Sequence, residues 1–159
     1  VDTVILEVNA NGGRELDSFF RGETETGLAG FWPYVFGAGG AADPALVARY
    51  SQLMADSQAL VAEDTLRLID FRGIRHLIDI GGGTGAFLAA VGKAHPGMAR
   101  TLFDLPAVVA GAEARLGAGV TVHPGSFRDD PLPTGCDAVS LIRVLYDHSD
   151  ATVAALLGE

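Results

Sequence analysis

The residues whose types and spacing could do chemistry are glycines and carboxylates. In Asp79-Ile80-Gly81-Gly82-Gly83-Thr84-Gly85 an apolar run breaks into glycines and resumes with helical spacing at Ala86-Phe87-Leu88, the pattern of strand, tight turn and helix. Gly81, Gly83 and Gly85 remove side chains where the backbone must turn sharply and a ligand approaches, and the amides that open the next helix suit polar or anionic groups. The expected ligand is a nucleotide-like cofactor. Gly81-x-Gly83-x-x-Ala86 also satisfies the relaxed dinucleotide fingerprint, so two cofactor classes compete. Asp79 separates them. A carboxylate at the strand tip orders the turn and attracts an ammonium group, which suits the amino-acid end of S-adenosylmethionine (SAM) and not a pyrophosphate. Asp104 lies 23 residues beyond Gly81, at the end of the next predicted strand, near the spacing at which βαβ folds hydrogen-bond a ribose.

These residues need a sheet to hold them. The patterning predicts strands at 77–80, 99–104, 120–123 and 137–145, with helices after the glycine turn and from Pro106 to about Leu116. Before them, Asp43-Pro44 marks a helix start, and Leu46, Tyr50, Leu53, Met54, Ser57, Leu60, Val61, Leu66 and Ile69 recur at three- and four-residue intervals, so one helical face is expected to pack on the sheet until Gly73 ends it. The alternation argues for an α/β fold with a parallel, doubly wound sheet. A helix after the fourth strand should return into a further strand that the chain does not contain. The chain therefore reads as a fragment: a partial cofactor-binding domain at 43–159, truncated after the fourth strand, preceded by a cap or dimerisation remnant at 1–42. Alone, it is expected to be poorly behaved. Residues 1–13 suggest only a short strand and turn. Phe19, Phe20, Phe31, Trp32, Tyr34 and Phe36 form an apolar stretch that fits a pocket for an extended hydrophobic substrate, the inner face of a helical cap or a subunit contact.

Composition limits the partners. With 159 residues, 48% of them hydrophobic, one domain with a real core is the default. A net charge of −9 with only 11 Lys and Arg argues against nucleic acid. The single Cys136 cannot close an internal disulfide and fits a reducing, cytoplasmic setting. No stretch reaches the ~20 apolar residues of a membrane span, although an apolar partner is compatible with the composition. His76, His95 and His123 fall at separate junctions and suggest no metal site.

Together Asp79 to Gly85, Phe103-Asp104-Leu105-Pro106 and Tyr146-Asp147-His148-Ser149-Asp150 resemble the SAM-dependent O-methyltransferases of the plant caffeic-acid and bacterial small-molecule type, over residues 43–159. Phe31-Trp32-Pro33-Tyr34, Ala48-Arg49-Tyr50 and Arg143-Val144-Leu145-Tyr146-Asp147-His148 look most like the carotenoid-hydroxyl methyltransferases of photosynthetic bacteria, which methylate hydroxyneurosporene or demethylspheroidene. The resemblance implies a class I, Rossmann-like methyltransferase fold, SAM as cofactor and an apolar small-molecule substrate. It also implies a cytoplasmic protein, peripheral to the membrane that carries its substrate, and a homodimer of the full-length parent.

Residue by residue, it implies that Gly81 and its neighbours hold the methionine portion, Asp104 the ribose hydroxyls, and that Phe127 packs on adenine. Arg143, where relatives carry lysine, would stand beside the cofactor, and Tyr50 and Met54 would line the pocket. Two departures stand out. Ser126 replaces an aspartate that accepts from the adenine amino group. Tyr146 replaces the histidine that serves phenolic methyltransferases as base, and a neutral tyrosine, with a pKa of about 10, is a poor one. His148 is the candidate substitute, while Asp147 and Asp150 also suit a helix cap. Methyl transfer is an in-line displacement whose main requirement is alignment. The rival readings are an NAD-dependent oxidoreductase, for which no Tyr-x-x-x-Lys constellation is present, and an inactive remnant or interaction module that keeps the glycine loop.

Overall fold

The computed structural model describes residues 44–158, together with Arg21 and Glu23. Contacts divide the chain into Val1–Ala42 and Asp43–Glu159, and the fold is that of the second unit. The readings of residues 1–13, of the aromatic residues between 19 and 36, and of Asp43 as a cap lie outside the described residues.

The elements run α1 (Pro44–Leu68), β1 (His76–Ile80), α2 (Ala86–Ala94), β2 (Ala99–Asp104), α3 (Pro106–Val109), α4 (Ala112–Leu116), β3 (Val120–Pro124), β4 (Ala138–Ser140), a 3-10 turn (Leu145–Asp147) and α5 (Asp150–Gly158). The sheet is parallel throughout, in the order β3-β2-β1-β4. The chain winds outward from β1 to β3 and then crosses back to the far side of β1, so a switch point lies between β1 and β4.

Because both faces of the inner strands are covered, β1 is buried from Leu77 to Ile80 and β2 from Arg100 to Phe103. Alternate residues serve different layers. Leu77 and Leu102 join a core with Ala62 of α1, Phe87, Leu88 and Val91 of α2, Val109 of α3 and Ala112 of α4. Ile78, Ile80 and Phe103 join Leu156 of α5 on the opposite face, where Phe127, Leu132 and Cys136 pack against them. Where β1 begins, the Asp137 carboxylate accepts from the backbone amides of Arg75 and His76 at 2.8 and 2.9 Å, fixing the entry of β1 beside that of β4.

Four expectations need correction. The predicted 106–116 helix is two short helices, because Gly111 takes φ 72 and breaks the run. The predicted 137–145 strand ends at Ser140: β4 pairs with β1 only as far as Asp79↔Ser140, and β1 itself ends one residue later at Ile80, where its glycine turn begins, so residues 142–145 have no strand beside them. Helix α1 stops at Leu68, five residues short of Gly73, where Asp70 accepts from the Arg72 amide at 3.0 Å and offers the backbone a local turn in place of another helical bond. The face of α1 is also rotated from the expected one. Ser51 and Ala62 are buried, whereas Leu53, Leu60 and Ile69 lie exposed.

One buried charge was not anticipated. Arg100 on β2 is buried and donates to the carbonyls of Leu88, Met98 and Ala118 at 3.0, 3.4 and 3.5 Å. Gly92 of α2 makes this possible, since a Cβ there would collide with the guanidinium.

Candidate functional site

All the candidate residues except Tyr50 and Met54 fall at the C-terminal edge of the parallel sheet. Gly81–Gly85 follow β1, Asp104 ends β2, Ser126 and Phe127 follow β3, and Arg143, Tyr146 and His148 follow β4. In open α/β sheets this edge, next to the switch point, is where ligands bind.

The glycine turn is built tightly. Gly81 donates to the Phe103 carbonyl at 2.8 Å, extending the β1–β2 ladder by one bond, and Gly85 donates to Gly82 at 3.0 Å before capping α2. Gly82 lies so close to the sheet that a Cβ would collide with Asp79 Oδ2 and come within 2.6 Å of Leu102 Cδ1. Gly83 differs: its φ of 62 favours glycine, yet a Cβ there would meet nothing within 4 Å. Gly82 answers to packing, and Gly83 leaves a side-chain-free opening above the turn.

Two carboxylates lie under and beside this turn. Asp79 is fully buried; its Oδ1 accepts from the Ser140 hydroxyl at 2.6 Å, while Oδ2 is buried without a hydrogen-bond partner. Burial pushes the carboxyl up to about 7, the Ser140 bond opposing the rise and the Asp104 carboxylate adding to it. Asp104 Oδ2 accepts from the Gly83 amide at 2.7 Å and Oδ1 from the Leu105 amide at 2.6 Å. Burial raises its pKa as well, against those two amides. Each Asp104 oxygen retains acceptor capacity for a second donor. An orphaned carboxylate oxygen, a second acceptor carboxylate and an open glycine fit a ligand that is cationic at one end and carries a diol.

The remaining candidates form two groups. In the first, Arg143 adopts φ 59 and forks onto α1, donating from Nη1 to Ser57 Oγ at 2.9 Å and from Nη2 to the Met54 carbonyl at 3.0 Å. The structure thus joins Arg143 to Met54, and both Met54 and Tyr50 are half-buried on α1. Arg143 Nε is buried without a partner. In the second group, Ser126 opens a tight loop: its amide donates to Asp130 Oδ2 and its hydroxyl to Asp129 Oδ2, both at 2.8 Å. Ser126 is not uncompensated by charge, because two carboxylates stand three and four residues on. Phe127 meets the His148 ring edge-on, centroids 5.1 Å apart, and Arg128 Nη2 lies 2.8 Å from His148 Nδ1. Burial and then the Arg128 charge lower the His148 pKa, against the opposing pull of Asp147. Tyr146, two residues earlier on the 3-10 turn, is 72% exposed. Sequence reasoning missed Gly82, Ser140 and Arg128. Only Gly82 left a signal, as part of an unbroken glycine run.

A parallel sheet with a glycine turn after one strand and an acceptor carboxylate ending the next defines a Rossmann-like cofactor-binding domain, here of the class I SAM-dependent methyltransferase type. The chain belongs to the O-methyltransferase domain family, whose model matches residues 14–159. It is 64% identical over 145 residues to the demethylspheroidene O-methyltransferase of Cereibacter sphaeroides, covering 88% of this chain and 38% of that protein. To the enzyme of the same name from Rhodobacter capsulatus it is 54% identical over 142 residues, covering 89% of this chain and 36% of the relative. The chain thus spans little more than a third of the length of either. Among solved structures, human N-acetylserotonin methyltransferase in complex with SAM superposes with a TM-score of 0.66 at 28% identity, over 72% of this chain and 34% of that one.

Proposed function

We propose that this chain carries the cofactor-binding part of an enzyme that transfers a methyl group from SAM to the hydroxyl of a long apolar substrate, a carotenoid of the demethylspheroidene or hydroxyneurosporene class. The observation that carries the reading is the pair of carboxylates, fully buried Asp79 and half-buried Asp104, set against an open glycine turn. A pyrophosphate would bring negative charge toward that pair, whereas a ligand bearing ammonium and sulfonium groups would relieve their repulsion. The names of the two bacterial relatives support the substrate class.

When bound, SAM supplies a sulfonium methyl open to in-line displacement. The chain's own residues then have three tasks. Asp104, fixed by the Gly83 and Leu105 amides, accepts from the ribose hydroxyls. Phe127 offers a ring face to adenine, and Gly83 leaves room for the methionine end. Orientation of this kind supplies much of the rate in a displacement with near-attack geometry. Of Tyr146 and His148, His148 is held by neighbours on two sides, while Tyr146 is exposed. His148 is therefore the assisting residue and Tyr146 a pocket-rim residue. An apolar substrate is met at a membrane surface, which supports a cytoplasmic protein peripheral to that membrane, and the family resemblance supports a homodimer of the full-length protein; no helix among the described residues is long and apolar enough to cross a membrane.

The test is transfer of isotopically labelled methyl from SAM to demethylspheroidene by the full protein. Tyr146→Phe should keep most of the wild-type rate and His148→Ala should lose at least tenfold. Abolition by Tyr146→Phe with a silent His148→Ala would reverse the two roles, and no label in the carotenoid would remove the substrate.

A further inference from the structure

We infer that Arg128 is a positioning residue which, by capping Nδ1 of His148, fixes the ring proton at Nε2 and makes His148 a hydrogen-bond donor to the substrate oxygen instead of a base. The inference deepens the proposed methyl transfer and rests on it for the identity of that oxygen. It follows from the direction of one hydrogen bond. A guanidinium has only donors, so at 2.8 Å from Arg128 Nη2 the Nδ1 of His148 must be the acceptor. A neutral imidazole has one lone-pair nitrogen, and here it is already used. The other nitrogen carries the proton.

The surroundings hold that arrangement. Arg128 follows Phe127 directly, and Phe127 forms a T-shaped pair with the same imidazole, so two consecutive residues of one loop hold His148, one through the ring and one through the ring nitrogen. The loop is itself anchored: Gly125 donates to the Asp104 carbonyl at 2.9 Å, and Asp129 and Asp130 donate back to the Ser126 carbonyl at 3.0 and 2.8 Å. The charged groups acting on the ring are Arg128 from this loop, which favours the neutral form, and Asp147 from the 3-10 turn, which opposes it. Ribose carboxylate, adenine loop and His148 are thus one connected rim.

A donor at Nε2 can hold a hydroxyl through one oxygen lone pair. In the transfer the second lone pair forms the bond to the methyl carbon, the carbon–sulfur bond breaks with its electrons passing to sulfur, and the hydroxyl proton leaves to water, His148 having no lone pair free to take it. A consequence separates this role from that of a base. Both the neutral and the protonated ring carry an Nε2–H, so protonation removes the Arg128 cap but not the donor, whereas a base would be lost outright.

The experiment is nitrogen-15 NMR of the histidine side chains in the chain, with His148 assigned from a His148→Gln spectrum. In the unsubstituted protein His148 should show a protonated Nε2 and a lone-pair Nδ1. Arg128→Met should give mixed tautomers and shift the titration of His148 upward, and Arg128→Lys, which keeps a charged donor, should restore most of the original spectrum. A proton on Nδ1 in the unsubstituted protein, or a titration indifferent to Arg128→Met, overturns the inference. Titration with S-adenosylhomocysteine (SAH) is read separately: absence of binding with the tautomer as expected would count against the cofactor and leave the Arg128–His148 pair standing.

Discussion

At the scale of single residues, Asp79 decides the most. It was legible as a carboxylate ahead of the glycines, but its partner was not: Ser140 lies 61 positions away and reaches it only because β4 pairs beside β1. The folded chain holds the Asp79 proton up to about 7, against 3.8 for an ordinary aspartate. Unfolding between those values releases a proton, so stability falls as pH rises from 3.8 to about 7. The displacement is worth roughly 4 kcal/mol at most, at about 1.4 kcal/mol for each pH unit. Asp79→Asn has the same shape without the charge. Urea unfolding should find it close to the unsubstituted protein near pH 4 and more stable near pH 8. Parallel stability curves across that range would mean that Asp79 has found a partner for its charge.

At the scale of elements, the strand–turn–helix around Gly81–Gly85 was readable because every local signal agreed: an apolar strand, glycines, then helical spacing. The segments misread were those set by a neighbour. β4 ends at Ser140 because β1 turns away, and α1 presents Ser51 and Ala62 to the core while Leu60 stays 74% exposed, a rotation that periodicity alone does not fix. Within the turn, the glycines should respond differently to the same change. Gly82→Ala forces a methyl into Asp79 and Leu102 and should cost about 1 to 3 kcal/mol of stability. Gly83→Ala meets no atom and should cost only the about 1 to 2 kcal/mol of a left-handed non-glycine residue, yet weaken SAH binding by filling the opening. Unfolding curves and SAH titrations of the two variants test the contrast. Equal stability losses with equal binding would deny that packing and ligand access are divided between neighbouring glycines.

At the scale of the whole described unit, the sheet is closed on one side only in part. β4 pairs with β1 and, among the described residues, with no other strand, and beside it a cleft of about 630 Å³ is lined by Leu68, Ile69, Val139 and Leu141. Leu68 is 74% and Val139 51% exposed. An apolar edge strand is a template for association with another chain. Light scattering of the 159-residue chain should therefore show concentration-dependent association, and Val139→Lys should suppress it. A monomer indifferent to both concentration and that substitution would show that the edge is covered.

The central claim is that the turn and its two carboxylates bind SAM. Calorimetric titration of the chain with SAM, SAH and NAD tests it most directly. SAM and SAH should bind and NAD should not, and Asp104→Ala should weaken SAM by about 1.5 to 3 kcal/mol, the usual worth of charge-assisted hydrogen bonds. Heat from NAD with none from SAM, or SAM affinity untouched in Asp104→Ala, would contradict the account.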